Sequence, residues 1–279
     1  MCFLINKEIE EDKYNSPAPF IYYLVQCCAS IIFICAVYFP IHNQFTKEYL
    51  MLMCILVKIG VWPFHRWYLK TISLLEIKTN SLKFIITWQK VIPLAIIPLL
   101  CLNIENICIV LCIINITIAS LSISIHISFK SILGISSMFN NSWLLIRNVR
   151  SSLILSYFSF YSIRLTIFIN SMWNLNIKKK TSYKEIMFST IIGSNLAGIP
   201  PLVIFSIKVC VLKTLASLQL TITRVFIVIL NCIFSYHYLW GLSNNIIILV
   251  KKTQNLVNNE KLSWLVIFLI SSLGSLWLF

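Results

Sequence analysis

The sequence predicts an all-α membrane protein, a polytopic transmembrane helix bundle of about nine spans, on three observations. Hydrophobic residues make up 58% of the 279 and charged residues only 11%, where soluble domains carry about 25% charged residues. Apolar runs of about 20 residues, the length that crosses a hydrocarbon core about 30 Å thick, recur along the chain. The basic residues, finally, fall unevenly among the loops between those runs. Lys and Arg number 23 against nine Asp and Glu, a net charge of +14. In a soluble protein that balance points to nucleic acid. Here Ile, Leu, Phe and Val fill the stretches between the charges, and a basic patch has no polar surface to sit on. Soluble enzyme, secreted disulfide scaffold, nucleic-acid binder and disordered basic tail are all disfavoured by the same composition.

Residues 1–19 read as a short extramembrane segment, and 20–279 as a single transmembrane domain. The acids Glu8, Glu10, Glu11 and Asp12 are the wrong chemistry for a cleavable signal or an Arg-rich transit peptide. Spans are expected near 20–39, 49–65, 82–102, 107–127, 129–146, 152–172, 186–218, 225–249 and 262–279. The seventh is too long for one straight crossing and carries Ala197-Gly198-Ile199-Pro200-Pro201 at its middle. Proline removes a backbone donor and drives the preceding residue out of the α region, so this run is expected to be one broken helix. With nine spans, Lys7, Lys13, Arg66, Lys70, Lys78, Lys130, Lys178, Lys179, Lys180, Lys184, Lys251, Lys252 and Lys261 share the N-terminal side. Lys47, Arg147, Arg150 and Arg224 lie opposite, thirteen against four. That asymmetry puts the N-terminus on the side where the chain is made.

Three basic residues interrupt apolar runs: Lys58, Lys90 and Lys208. A lysine at the centre of a spanning helix costs about 2.5–3.5 kcal/mol on insertion scales. Any one of them could lie near a helix end and snorkel to the headgroups. Three in one chain, two of them beside prolines (Pro63 and Pro93), point to a polar pathway. Desolvation penalises the charged form of lysine, which suits it to trading protons. Glu48, Glu76, Glu105, Glu185 and Glu260 all fall in loops or at span edges, which disfavours paired-carboxylate chemistry and a carboxylate cation site. No CxxC pair occurs among the ten cysteines, and no metal site is expected. His65, beside Pro63, reads alone as an interfacial histidine, and His126 and His237 as structural ones. Arg164 is an intrusion expected to pair outside the chain. Ser136-Ser137 and Asn140-Asn141-Ser142 are placed to hydrogen-bond across helices. The Lys178–Lys180 run reads as a solvated loop attracted to anionic lipid.

Five motifs in order resemble a known family. Lys58-x4-Pro63-Phe64-His65-x-Trp67 and Thr87-Trp88-Gln89-Lys90-x2-Pro93 resemble the central signature of NADH–ubiquinone oxidoreductase chain 2, the antiporter-like membrane subunit of mitochondrial complex I. Phe129-Lys130-x5-Ser136-Ser137-x5-Trp143 resembles its Ser-Ser region. Leu196-Ala197-Gly198-Ile199-Pro200-Pro201-x3-Phe205-x2-Lys208 resembles its double-proline segment, and Tyr23-Leu24-Val25-Gln26-x2-Ala29-Ser30 one of its helices. The resemblance runs from about residue 13 to the C-terminus.

The resemblance implies two discontinuous helices, broken at Pro63 and at Pro200-Pro201. It implies a proton pathway through Lys58, Lys90 and Lys208, with His65 matching the family histidine. Broken backbone at membrane depth fits that reading, because it is tolerated only where it is buried in protein or lines a wet cavity. The implied protein is a non-redox subunit of an H+-translocating NADH:ubiquinone reductase. It would be inactive as an isolated chain and hold no cofactor, with FMN, iron–sulfur clusters and ubiquinone in other subunits. Implied partners are the other hydrophobic membrane-arm subunits and membrane lipid, in the mitochondrial inner membrane with the N-terminus on the matrix side. The family has further N-terminal helices, one bearing a glutamate, and the proton link there is expected to be rebuilt within this chain or supplied, with those helices, by a separate polypeptide. Other departures are Asn140 at the family histidine, and Ile207 and Val209 flanking Lys208. A scaffold-only subunit of the same complex and another antiporter-like cation/proton transporter subunit stand as alternatives. A membrane acyltransferase using His65 would need Glu76, across a loop, to orient it.

Overall fold

The computed structural model describes residues 17–38, 44–75, 80–100, 105–126, 128–148, 154–177, 183–199, 203–217 and 221–253. Every regular element among them is a helix, as the composition requires: in hydrocarbon each backbone N–H and C=O must be satisfied internally. The helices are α1 (Ala18–Tyr38), α2 (Gln44–Ile59), α3 (His65–Leu74), α4 (Asn80–Ile86), α5 (Val91–Leu100), α6 (Glu105–Ile125), α7 (Phe129–Asn148), α8 (Ile154–Ile177), α9 (Tyr183–Ala197), α10 (Val203–Ser217) and α11 (Thr221–Thr253), with a 3₁₀ turn at Trp88–Lys90 between α4 and α5. By length and apolarity, three of the described helices suffice to cross a membrane alone: Ala18–Tyr38, Ile107–Ile125 within α6 and Thr221–Ile248 within α11. The expected ninth span, 262–279, lies outside the described residues, as do Pro200 and Pro201.

The fifth and sixth, read as 129–146 and 152–172, are the continuous helices α7 and α8, while the second, third and seventh differ from expectation because their helices are interrupted. The second, read as 49–65, is α2, a five-residue break and then α3, which carries the helix on to Leu74. Arg66 and Lys70 are therefore helical rather than in a loop. The third, read as 82–102, is unexpectedly divided by the 3₁₀ turn. Pro93 has no N–H to offer the carbonyl of Gln89 four residues back, so the ladder tightens to i→i+3 bonding just before it, with Lys90 N donating to Thr87 O at 3.1 Å. The expected break near 198 is present: α9 ends at Ala197 and α10 begins at Val203.

Two compact units are distinguished. One joins the described residues up to Ile118 with Ser137–Phe158, and the other joins Ala119–Ser136 with the described residues from Ser159 onward. In the first, α1 packs on α2 and α3, and α2 also on α5. The buried face of α1 is Ala18, Tyr22, Ala29 and Ala36, a mostly small-residue stripe that lets backbones approach closely. Its large side chains, among them Phe20, Ile31 and Ile32, face outward. In the second unit, α9 packs on α10 and α11. There Gly193 lies against Leu242 and Phe168, and Gly241 against Ile132.

Both breaks end in the same device. Gly60 has φ +76° and Gly198 φ +78°. Gly60 N donates to Val57 O and Val61 N to Leu56 O; Gly198 N donates to Asn195 O and Ile199 N to Ser194 O. These are the paired 5→2 and 6→1 bonds of a Schellman cap, which needs a left-handed residue that glycine supplies without strain. A Cβ at Gly60 would stand 2.6 Å from Tyr68 Cβ, an atom tied to the α3 backbone. Gly60→Ala is therefore expected to cost more than the roughly 1–2 kcal/mol of left-handed strain alone. Its check is the thermal stability and yield of the assembled membrane protein, which should fall sharply.

Candidate functional site: lysines buried beside the helix breaks

In the first unit side chains also bond the carbonyls at the end of α2. Trp67 Nε1 donates to Val57 O at 3.1 Å. Gln89 Nε2 donates to Lys58 O at 2.8 Å, and Gln26 Nε2 to the same oxygen at 3.4 Å. On the far side of the break, Trp62 N donates to Asn115 Oδ1 at 3.0 Å, and Asn115 Nδ2 donates to Met138 O at 3.0 Å and to Ser142 Oγ at 2.5 Å. One asparagine on α6 thus ties the broken segment to α7. The Trp62–Pro63 peptide in this segment is cis.

Lys90 closes the 3₁₀ turn and is fully buried, as is Tyr68 on α3. Lys90 Nζ donates to Tyr68 Oη at 2.9 Å and lies 4.5 Å from the ring centroid. Tyr68 Oη is 2.5 Å from Ser137 Oγ on α7, and either oxygen can be the donor. Lys58 behaves differently: its carbonyl joins the cap, while its half-buried side chain brings Nζ to 5.9 Å from the ring of Phe33 on α1. His65, half-buried, opens α3 directly after the break. Pro63 lies between α2 and α3.

In the second unit Lys208, 2% exposed on α10, reaches back to the end of α9. Its Nζ donates to Ala197 O at 3.2 Å and to Asn231 Oδ1 on α11 at 2.8 Å. The missing side chain of Gly198 makes the room, since a Cβ there would stand 2.8 Å from Lys208 Nζ. An ammonium at a helix C-terminus is favoured by the partial negative charge of its free carbonyls.

Helix α7 joins several of these contacts. Ser136, Ser137, Asn140, Asn141 and Ser142 are all buried. Beyond Ser137 and Ser142, Asn140 accepts from Tyr157 Oη on α8 at 3.1 Å, so the expected cross-helix bonding is present. Asn141 has neither its Oδ1 nor its Nδ2 bonded among the described residues. Arg164 is half-buried on α8 beside the outward Ile163.

Sequence reading did not single out Tyr68, Asn115 or Asn231. For the two asparagines the available signal was a lone amide within an apolar helical run. Tyr68 offered none, because an aromatic one residue after Trp67 reads as packing.

No family model matches the chain. It is similar to NADH-ubiquinone oxidoreductase chain 2 of Anopheles gambiae, 27% identical over 282 residues that cover 91% of this chain and 80% of that protein. The same protein from Artemia franciscana is 30% identical over 206 residues, 72% of this chain and 65% of the relative. That from Hylobates lar is 26% identical over 271 residues, 87% and 74%. The family that the motifs resemble is the one these relatives carry. Among solved structures, the fold is similar to a chain in the structure of the Mrp complex from Dietzia sp. DQ12-45-1b, with a TM-score of 0.66 at 15% identity. The match covers 86% of this chain and about half, 51%, of that one. At that identity the likeness is one of fold.

Replacing Asn115 by Leu leaves the partly buried Trp62 N–H without its acceptor. A buried group left unsatisfied costs about 1–3 kcal/mol, so a lower melting temperature of the purified membrane assembly is expected, read by intrinsic fluorescence.

Proposed function

We propose that this chain, a relative of the NADH-ubiquinone oxidoreductase chain 2 proteins, is a membrane-arm subunit of respiratory complex I that takes part in proton translocation coupled to quinone reduction. The observation that carries the reading is the pair of fully buried lysines, Lys90 and Lys208, each bonded to neutral oxygens beside an interrupted helix. An ionisable residue inside a membrane segment is a functional-site hypothesis by default, because its burial is too costly to keep for packing alone. In the proposed pathway Lys90 and Lys208 hold and release protons, Lys58 receives them at its half-buried position, and His65 lies at the mouth of the first break. Pro63, within the first break, keeps α2 and α3 from joining into one helix.

The reading makes the chain a non-redox subunit of an oxidoreductase. FMN, iron–sulfur clusters and ubiquinone are assigned to its partners, and no activity to the chain alone. Its proposed neighbours are other hydrophobic membrane-arm subunits and membrane lipid. The proposed location is the mitochondrial inner membrane with the N-terminus facing the matrix. The similarity to chain 2 proteins over most of this chain supports the membership and the location.

Lys90→Met keeps the length of the side chain and removes its proton. The complex is expected to assemble and oxidise NADH while pumping fewer protons per electron, measured by a pH-sensitive dye in reconstituted vesicles. Full assembly with an undiminished proton ratio would leave only the scaffold role.

A further inference from the structure

The buried chain Lys90–Tyr68–Ser137 joins three elements that are separate in sequence: the 3₁₀ turn, α3 and α7. All three residues are fully buried, so water does not stand in for any member. Tyr68 is also fixed in place. Its Cβ lies where a side chain on Gly60 would be, and its ring meets that of Trp67 edge-on at 5.9 Å between centroids. Neither the tyrosine nor the serine was needed to close the backbone of the break, which Trp67, Gln89, Gln26 and Asn115 already satisfy.

We infer that Tyr68 is a positioning residue that transmits the charge state of Lys90 to Ser137 on α7 by reversing the direction of this hydrogen-bond chain. The inference rests on the proton-path reading of Lys90. An ammonium has three donors and no acceptor, whereas a phenol has one donor and can also accept. When Lys90 is charged, Nζ–H donates to Tyr68 Oη, and the phenolic proton is directed to Ser137 Oγ, which accepts. When Lys90 is neutral, its lone pair accepts the phenolic proton as a hydrogen bond, and Ser137 O–H turns to donate to Tyr68 Oη. Two hydroxyl rotations complete the change. No covalent bond is made or broken at Tyr68 or Ser137, and the proton that Lys90 gains or loses travels on the proposed path. A phenylalanine at position 68 would keep the ring packing and lose the coupling.

The test compares Tyr68→Phe, Ser137→Ala and Lys90→Met in the intact native complex. Two readouts are taken: pumped protons per electron, and the infrared difference spectrum between resting and NADH-energised states. The tyrosine C–O(H) band in that spectrum is expected to vanish in both Tyr68→Phe and Lys90→Met. In Ser137→Ala it shifts, because the phenol loses its far partner. Tyr68→Phe should lower the proton ratio severalfold. If Lys90→Met is impaired but Tyr68→Phe pumps at the parent ratio, this inference fails and the proton-path reading survives. If Lys90→Met pumps at the parent ratio, both fail. Should Tyr68→Phe not assemble, Ser137→Ala decides through the spectrum alone, and an unshifted tyrosine band overturns the coupling.

Discussion

A peptide carbonyl released where a helix stops inside a bilayer has no water to bond, and each unit of this chain is arranged around that constraint. Both breaks solve half of the problem in the backbone, through a left-handed glycine and its two capping bonds. They differ in how they supply the other half. At the end of α2 the donors are neutral: the indole of Trp67 and the amides of Gln89 and Gln26. At the end of α9 the donor to Ala197 O is the ammonium of Lys208. In the first unit the lysines are thereby free of any capping duty. Lys58 contributes only its main-chain oxygen to the cap, and Lys90 is bonded to Tyr68.

The same constraint explains why α7 is buried and yet polar. An all-round buried helix is ordinarily apolar, whereas α7 carries Ser136, Ser137, Asn140, Asn141 and Ser142 inside. Ser137, Asn140 and Ser142 each bond a different neighbouring helix: α3, α8 and α6. Bonds of this kind associate helices where lipid tails provide no hydrophobic drive. Asn140 cannot titrate, so hydroxyls and amides that reorient, rather than a titrating ring, are what α7 offers to the groups around it.

The features legible in the sequence were those in which one residue forces one outcome. Gly198 followed by two prolines announces a break, and the lysines stand out against apolar runs. The third interruption was hidden because Pro93 acts one turn upstream of itself, inside a run whose composition reads as uninterrupted. The restart of the helix at His65 was hidden for the opposite reason. Helix α3 is too polar to resemble a span, so Arg66 and Lys70 looked like loop residues. Without those two the asymmetry counted from the sequence is eleven against four. Partners such as Tyr68 and Asn231 depend on which helices meet, and that information is not local. The pairing of Lys208 with Asn231 spans 23 residues and that of Lys90 with Tyr68 spans 22, each across a helix boundary.

The two buried lysines are not chemically equivalent, and the difference follows from what their partners can do. Ala197 O and Asn231 Oδ1 are acceptors in every state. A neutral amine keeps two N–H bonds, enough to serve both, so discharging Lys208 orphans neither oxygen and leaves the break closed. Lys90 faces a hydroxyl that donates as readily as it accepts. Its discharge creates an acceptor where there was a donor, and the phenol turns in response. On the coupling inferred for Tyr68, the first unit would register the charge of its lysine in the direction of its hydrogen bonds, while the second would hold its geometry through the same change.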